Sequence, residues 1–317
     1  MTYNCPFDNT SFETLEELCS HIRKFKIKQE DFFIEFYPRK DLLTGELIKF
    51  RNVDQYLSSD FNNKNNLKKW LKLKTEEGKK WAINWLKERT EKKKLAFAPD
   101  QVYLRSLTCP TVLYYNNIGN YNEICQSIGL KVKYDYNKKL IFNKLPFDIN
   151  IICDTREQHP FELSYKTIIT KLNCGDYGLE DKYDKKIYVE RKSLADMISS
   201  LTSKKKKEGS KAKNGLERIK AELQRAKDSN SYIIMVVEDD LNSALSFEYL
   251  PQCKWTKVTS SHIFKNIRDL LIEFDNFQIV FAGSRKQAEL LTIKIFELGV
   301  DVKNIDLQYY IEKGELI

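Results

Sequence analysis

Several classes of protein are excluded by what this chain has little of. Its 317 residues include only 7 prolines and 11 glycines, with 42% hydrophobic, 12% aromatic and 31% charged residues. That is a globular composition, not a low-complexity or linker-like one. No apolar run approaches the ~20 residues a membrane span needs. The polar opening MTYNCPFDNTSF carries an acid and resembles neither a secretory nor a transit peptide. The seven cysteines (5, 19, 109, 125, 153, 174 and 253) are odd in number and contain no CxxC. They read as reduced thiols of a cytosol-like compartment, not as a disulfide framework. Only three histidines occur, His21, His159 and His262, and no cysteine has a base nearby in sequence, which disfavours Cys/His nucleophilic chemistry. The expectation is a soluble intracellular protein, in a prokaryotic or virus-infected cytoplasm or in a nucleus.

What is present is length enough for two or three cores and a surplus of basic charge. Lys and Arg number 53 against 45 Asp and Glu, a net charge of +8. The surplus suits a polyanionic partner but is small enough that its location matters more than its size. Residues 1–90 are mixed and aromatic-rich, with helical patterns at 12–26 and 65–89. In the second pattern Leu67, Trp70, Leu71, Trp81, Trp85 and Leu86 recur at helical spacing and read as a core face. Residues 91–137 form a short unit punctuated by Pro99, Pro110, Gly119 and Gly129, which mark helix starts and stops. Residues 138–148 read as a linker and 303–317 as a tail. Between them the pattern becomes α/β: strand-like INIICD, KKIYVERK, YIIMVVED and FQIVFAG are joined by helical LADMISSL, LERIKAELQRAKD, SSHIFKNIRDLLIEF and SRKQAELLTIKIFELG.

Functional groups of an α/β sheet gather where strands end. Asp154 and Glu157 follow INIIC, Asp176 lies in the turn-like CGDY, and Glu190 ends KIYV. Strand alternation places Glu190 and Lys192 on one face and Arg191 on the other. Two carboxylates with an ammonium suit a phosphodiesterase that holds a hard, oxygen-seeking Mg²⁺, with the lysine orienting or deprotonating water. Asp176…Glu190-x-Lys192 fits the D…(D/E)xK spacing of restriction-type nucleases. Taken alone, Glu190 and Lys192 are also a surface ion pair, worth under ~1 kcal/mol.

The longer string DTRE (154–157), LNCGDYGL (172–179), VERKSLADMISSL (189–201) and LERIKAELQRAK (216–227) resembles the nuclease domain of XPF-type structure-specific endonucleases. Its signature, GD followed by ERKxxxD, is met by Gly175-Asp176 and Glu190-Arg191-Lys192-x-x-x-Asp196, over about 149–302. The resemblance implies a restriction-endonuclease-like α/β core, a mixed central sheet flanked by helices, and Mg²⁺ with Mn²⁺ as a substitute. It implies Asp176 and Glu190 as primary metal ligands, aided by the carbonyl of Arg191, and Asp154 and Glu157 as an additional acidic site. Lys192 becomes the water-activating or phosphate-orienting group, and Asp196 ties down Arg191 or Lys192. Arg218 and Arg225 match basic positions that contact DNA or brace the helix. Members commonly continue into a tandem helix-hairpin-helix domain, for which the sequence has no room after Ile317. They also dimerise through the last two nuclease helices, so a homodimer or heterodimer is expected. The stretch SKKKKEGSKAK, with Lys204, Lys205, Lys206 and Lys207, either neutralises phosphates or is a solvated loop.

Two N-terminal stretches carry weaker resemblances. TCPTVLYYNNIGNYNEICQSIGLKV (108–132) is similar to the small helical repeat appended to homing endonucleases, on Pro110-Thr111, Tyr114, Gly119, Tyr121 and Gly129-Leu130. This implies a mainly helical DNA-binding module, with Arg105, Asn116, Asn117, Asn120, Tyr121, Asn122 and Gln126 as candidate contacts. The asparagines are equally able to cap helices. CPFDNTSFETLEELCSHIRKFKI (5–27) is similar in outline to a C₂H₂ finger, but lacks the second cysteine and second histidine. Cys5, Cys19 and His21 make three ligands where a closed zinc site needs four. The expectation is a metal-free, finger-like fold packed on Phe12, Leu15, Leu18 and Ile22.

The combined reading is a Mg²⁺-dependent DNA endonuclease whose N-terminal modules choose the target, site-specific in the manner of a phage- or virus-encoded homing enzyme. The alternatives are a structure-specific flap, fork or junction nuclease of repair or recombination, and a catalytically silent DNA-binding scaffold.

Overall fold

The computed structural model describes residues 2–38, 47, 49–50, 52–57, 76–107, 110–180, 186–202, 214–247 and 258–317. The basic stretch with Lys204, Lys205, Lys206 and Lys207 lies outside the described residues, as do Leu67, Trp70 and Leu71. The chain divides into two compact units, Met1–Leu86 and Lys87–Ile317. No helix among the described residues is long and apolar enough to cross a membrane. Cys5, Cys19, Cys125, Cys153 and Cys174 are free thiols.

The first unit begins with strands β1 (Tyr3–Asn4) and β2 (Ser11–Phe12), paired antiparallel, and helix α1 (Leu15–Ile22). Thr14 and Glu17 close a reciprocal capping box at the start of α1, which satisfies amide groups a helix end leaves unpaired. Leu15, Leu18, Cys19 and Ile22 form its buried face against Phe32 and Phe33 of α2 (Gln29–Phe36) and Tyr56 of α3 (Val53–Leu57). The expected apolar set is therefore the core of a ββα unit.

Helix α4 spans Glu76–Lys93. The second unit then holds three short helices, α5 (Gln101–Arg105), α6 (Val112–Ile118) and α7 (Tyr121–Ser127), each started by the side chain its sequence offers: Asp100, Thr111 and Asn120. They precede strands β3 (Asn150–Cys153), β4 (Lys166–Ile169), β5 (Tyr177–Leu179) and β6 (Ile187–Lys192), then α8 (Leu194–Leu201) and α9 (Gly215–Asp228). β7 (Tyr232–Val237), α10 (Leu241–Ser246), α11 (Ser260–Glu273), β8 (Phe277–Phe281), α12 (Arg285–Leu298) and α13 (Leu307–Glu312) complete it.

The six strands make one mixed sheet in the order β4-β3-β5-β6-β7-β8. β3–β4, β6–β7 and β7–β8 pair parallel, while β5 runs antiparallel to both β3 and β6. YIIMVV and FQIVF are buried at every position, as strands covered on both faces must be. Ile233, Met235 and Val237 pack with Met197 and Leu201 of α8, Leu223 of α9 and Phe264 of α11. On the other side α12 and α13 lie against β7 and β8. The register Glu190↔Met235 and Lys192↔Val237 puts both charged residues on the α8–α9 face. Arg191 alternates to the α12 face.

Two segments are tied into the second unit more closely than the sequence suggests. The segment expected to be a C-terminal tail contains α13, whose Leu307, Tyr309 and Tyr310 are buried. The small helical module is bonded to this C-terminal region: the Gln101 amide donates to Asp306 at 2.8 Å, the Tyr136 hydroxyl to the same carboxylate at 3.0 Å, and Asn116 to the Tyr309 hydroxyl at 2.9 Å. Residues 138–148, expected as a linker, form no regular element, yet Lys138 pairs with Asp301 at 2.9 Å and the Asn143 amide donates to the Glu297 carbonyl at 3.0 Å. Burial, with the negative charge of Asp100 adding to it, pushes Asp306 up to about 7.

Candidate active site

The site forms where the start of β5 meets the end of β6. Gly175 has φ +69°, and a Cβ there would lie 2.9 Å from Tyr188 Cβ and 3.1 Å from the Val189 carbonyl. Only glycine both adopts this left-handed turn and lets the chain cross so close to β6. The crossing sets Asp176: its amide donates to the Val189 carbonyl at 2.8 Å, and its Oδ2 accepts from the Arg191 amide at 2.8 Å. The Asp176 carboxylate is thereby aimed at Glu190 and Arg191. On the same face Glu190 pairs with Lys192, both largely buried.

A fourth side chain enters from α9. Glu222 Oε1 accepts the Gly175 amide at 2.9 Å, and its negative charge acts on Asp176, Glu190 and Lys192. The sequence reading did not single it out. Its signal is helical spacing: Arg218, Glu222 and Arg225 fall at i, i+4 and i+7, one stripe of the amphipathic helix. Arg218 and Arg225 are exposed and form no ion pair among the described residues.

Two largely buried carboxylates, Asp176 and Glu190, with the half-buried Glu222 beside them, leave an excess of negative charge around one ammonium. Burial pushes Asp176 up to about 6, against the pull of Lys192. Burial and the neighbouring Asp176 push Glu190 up to about 8. Burial works against the charge of Lys192, but Glu190 and Asp176 outweigh it and hold the ammonium above its usual range. Lys192 is thus a cation at neutral pH.

The other predicted residues brace this corner. Burial would raise Asp154, but Arg156 and the amides of Leu172 and Arg156 hold it below the usual carboxylate range. Its Oδ1 takes the Arg156 side chain at 2.5 Å and its Oδ2 the Leu172 amide at 2.6 Å, so both oxygens are used in tying the DTRE turn to the irregular segment before Gly175. Glu157 Oε1 accepts the His159 amide at 2.6 Å and lies 3.4 Å from Arg191. Arg191, on the opposite face, donates to both oxygens of Glu238 at 2.7 and 3.0 Å. Arg285 shares Glu238 at 2.9 Å and holds the His159 and Pro160 carbonyls, and both guanidinium groups lie over Phe161.

Asp196 does not tie down Arg191 or Lys192. It sits exposed in the first turn of α8, and its carboxylate accepts the hydroxyl of the capping Ser193 at 2.6 Å. The candidate DNA contacts of the helical module are also placed differently. Tyr121 is fully buried, donating to the Pro99 carbonyl at 2.7 Å, and presents no surface to a groove. Asn120 caps α7, and Arg105 is engaged with Asn242 and Glu312.

No curated protein and no solved structure matches the chain. Residues 153–292 match the family model of the ERCC4 domain, the XPF-type nuclease domain, and strands β4 to β8 with Asp176, Glu190 and Lys192 lie within that stretch.

Proposed function

We propose that residues 153–292 form the centre of a metal-dependent DNA endonuclease. The observation that carries the reading is the meeting of Asp176, Glu190 and Glu222 around the Lys192 ammonium at one sheet corner of an ERCC4 domain. The donor set is all hard oxygen, and the repulsion that drives Asp176 and Glu190 toward protonation is the kind a divalent cation relieves. Asp176 and Glu190 would hold a Mg²⁺-class ion, with Mn²⁺ a substitute, while Glu222 and Glu157 add negative charge around it. Such an ion, when bound, supplies an acidified water and neutralises charge at the scissile phosphate.

The chain's own residues do the rest. Lys192, charged and fixed by Glu190, is suited to orient a phosphate oxygen and to hold the negative charge that develops on it. A group kept protonated by two carboxylates is a poor proton acceptor, so orientation is its better role than deprotonation. Gly175 and Asp154 set the turn that aims Asp176, and Arg191 with Glu238 fixes the strand end from behind. Arg218 and Arg225, on the Glu222 stripe of α9, are suited to phosphates either side of the cut.

Target choice has two versions. The site-specific version needs the helical module to read bases, but Tyr121, Asn120 and Arg105 are occupied within the second unit. That observation favours the branch-selective version, in which flap, fork or junction shape is recognised through backbone contacts. The test is cleavage of plasmid, flap and fork DNA by the full chain with Mg²⁺, against Asp176→Asn and Lys192→Ala. Wild type should cut and both variants should lose at least about a hundredfold, the scale of one lost charge-stabilising donor. Cutting that survives both substitutions sinks the site, and no cutting of any DNA by wild type favours a silent scaffold.

A further inference from the structure

In the first unit, the ββα fold gathers three side chains of different chemistry. Cys5 Sγ, an Asp8 carboxylate oxygen and a His21 ring nitrogen all lie within 4.8 Å of one another. Cys5 is fully buried, and its backbone is fixed by the β1–β2 turn, where the Cys5 amide donates to the Thr10 carbonyl at 2.7 Å and the Asn9 amide to the Cys5 carbonyl at 2.9 Å. His21 stands on α1 with its ring between Phe12 at 4.8 Å and Phe25 at 5.8 Å, which points Nε2 at Asp8 Oδ2, 2.9 Å away. Ring contacts on two sides therefore hold the imidazole where it is needed.

Sequence spacing counted Cys5, Cys19 and His21 as the trio and found it wanting. The structure replaces Cys19, which faces the core of α1, with Asp8. Two residues separate Cys5 from Asp8 and twelve separate Asp8 from His21. That brings a knuckle and a helix together on a single small scaffold. Ligands bonded at 2.0–2.3 Å around a tetrahedral ion stand roughly 3.3–3.8 Å apart, a spacing these three reach with small side-chain rotations.

We propose that Cys5, Asp8 and His21 form a binding site for one zinc-class dication, with water completing the tetrahedron. Sulfur, imidazole and carboxylate together suit Zn²⁺ or Co²⁺ and not Mg²⁺, which prefers an all-oxygen shell. Binding would convert the Cys5 thiol to thiolate and release one proton to solvent. His21 would bind as neutral imidazole, and one thiolate plus one carboxylate balance the two positive charges of the ion. The competitor is Lys24, whose ammonium lies 2.9 Å from the same Asp8 oxygen. It is half exposed, so it can leave to water when a dication arrives. At present the Cys5 thiol, Lys24 and the Thr10 amide all donate to Asp8, and together they hold its carboxyl well below the usual range.

The test is Co²⁺ titration of the full chain under reducing conditions, read by sulfur-to-cobalt charge-transfer absorption and reversed with Zn²⁺. The carboxylates of the nuclease corner give no such band. Wild type should bind one Co²⁺ with a thiolate band. Cys5→Ser should abolish the band, Asp8→Asn should weaken binding about tenfold or more, and Lys24→Met should tighten it severalfold by removing the resident cation. Asp8 and Lys24 are exposed, so those two variants test the site even where Cys5→Ser does not fold. A wild type without a thiolate band at millimolar Co²⁺ overturns the proposal. So does a band that persists in Cys5→Ser, or one that arises only in Lys24→Met, which would make Lys24 the permanent replacement for a metal.

Discussion

Glu190→Gln should make the metal-free protein more stable at pH 8 than the wild type. Glu190 stands largely buried beside Asp176, Glu222 and Lys192, and burial with the Asp176 charge moves it from 4.5 to about 8. A carboxyl raised on folding contributes stability that is complete below its unfolded value and is lost as pH climbs through its folded value. The window therefore runs from about pH 4.5 to 8. At 1.36 kcal/mol for each unit, the whole displacement corresponds to about 5 kcal/mol. Asp176 and Glu190 share part of their repulsion, so ionising one raises the other. A loss of about 3 kcal/mol between pH 5 and pH 8.5 is the figure to look for, or roughly 6–12 °C in Tm for a unit of this size. The assay is urea or thermal unfolding in EDTA across that range, for wild type and Glu190→Gln. Asp306, raised to about 7 by burial and Asp100, adds a slope of the same sign to both proteins, so it cancels in the difference, which reports Glu190 together with its coupling to Asp176. The gap should open with rising pH in favour of the variant, and added Mg²⁺ should close it by binding the ionised pair in wild type. Equal pH slopes for the two proteins in EDTA would refute the electrostatic reading of this corner. Equal stabilisation of both by Mg²⁺ would refute the assignment of Glu190 as a ligand.

Three further outcomes are expected. Glu222→Gln keeps an acceptor for the Gly175 amide but removes a charge, so stability should move by less than about 1 kcal/mol while the Mg²⁺ needed for half-maximal cutting rises severalfold. A variant that changes stability and leaves metal demand alone would reduce Glu222 to a brace. Gly175→Ala forces a Cβ to within 2.9 Å of Tyr188 at φ +69°, and denaturant unfolding should show a loss of about 2–4 kcal/mol together with loss of cutting. Asp154→Asn turns one of two accepting oxygens into a donor facing the Leu172 amide or Arg156, and should cost about 2–3 kcal/mol in the same unfolding assay, with metal affinity falling only as the DTRE turn loosens.

How much of this was legible in the sequence varies with the kind of signal. Strand alternation alone separated Glu190 and Lys192 from Arg191, and the register against Met235 and Val237 agrees. YIIMVV and FQIVF read as strands from their apolar content, and both are buried at every position. Glu222 was hidden because a glutamate on an amphipathic helix looks like any solvated charge until a strand turn brings Gly175 to it. Asp154 was visible as an acid, but its partners, Arg156 and the Leu172 amide, are set by a turn that no periodicity describes. Tyr121 misled for the opposite reason: an aromatic among asparagines has the composition of a nucleic-acid surface, while the Tyr115 and Tyr136 rings around it make it core. Asp8 was passed over because a cysteine was expected in its place.

The triplet Glu190-Arg191-Lys192 shows why a short acidic-basic motif needs its fold. Three consecutive charges at a strand end would ordinarily repel burial, since each carries a desolvation cost. Alternation sends them to two faces with different solutions. Arg191 meets Glu238, which also serves Arg285, and this closed, hydrogen-bonded network is a framework able to fix a strand end. Glu190 and Lys192 meet Asp176 and Glu222, and the resulting set is left with more negative charge than its ammonium balances. The satisfied face needs nothing further; on the proposed function, the unsatisfied one would be stabilised by a dication and by the phosphate that a dication and Lys192 together attract. The same asymmetry predicts that substitutions at Arg191 or Glu238 lower unfolding free energy without raising metal demand, whereas those at Glu190 or Glu222 raise metal demand, Glu190→Gln also stabilising the metal-free protein. A corner whose two faces failed to separate in this way would be a structural ion-pair cluster and not a catalytic one.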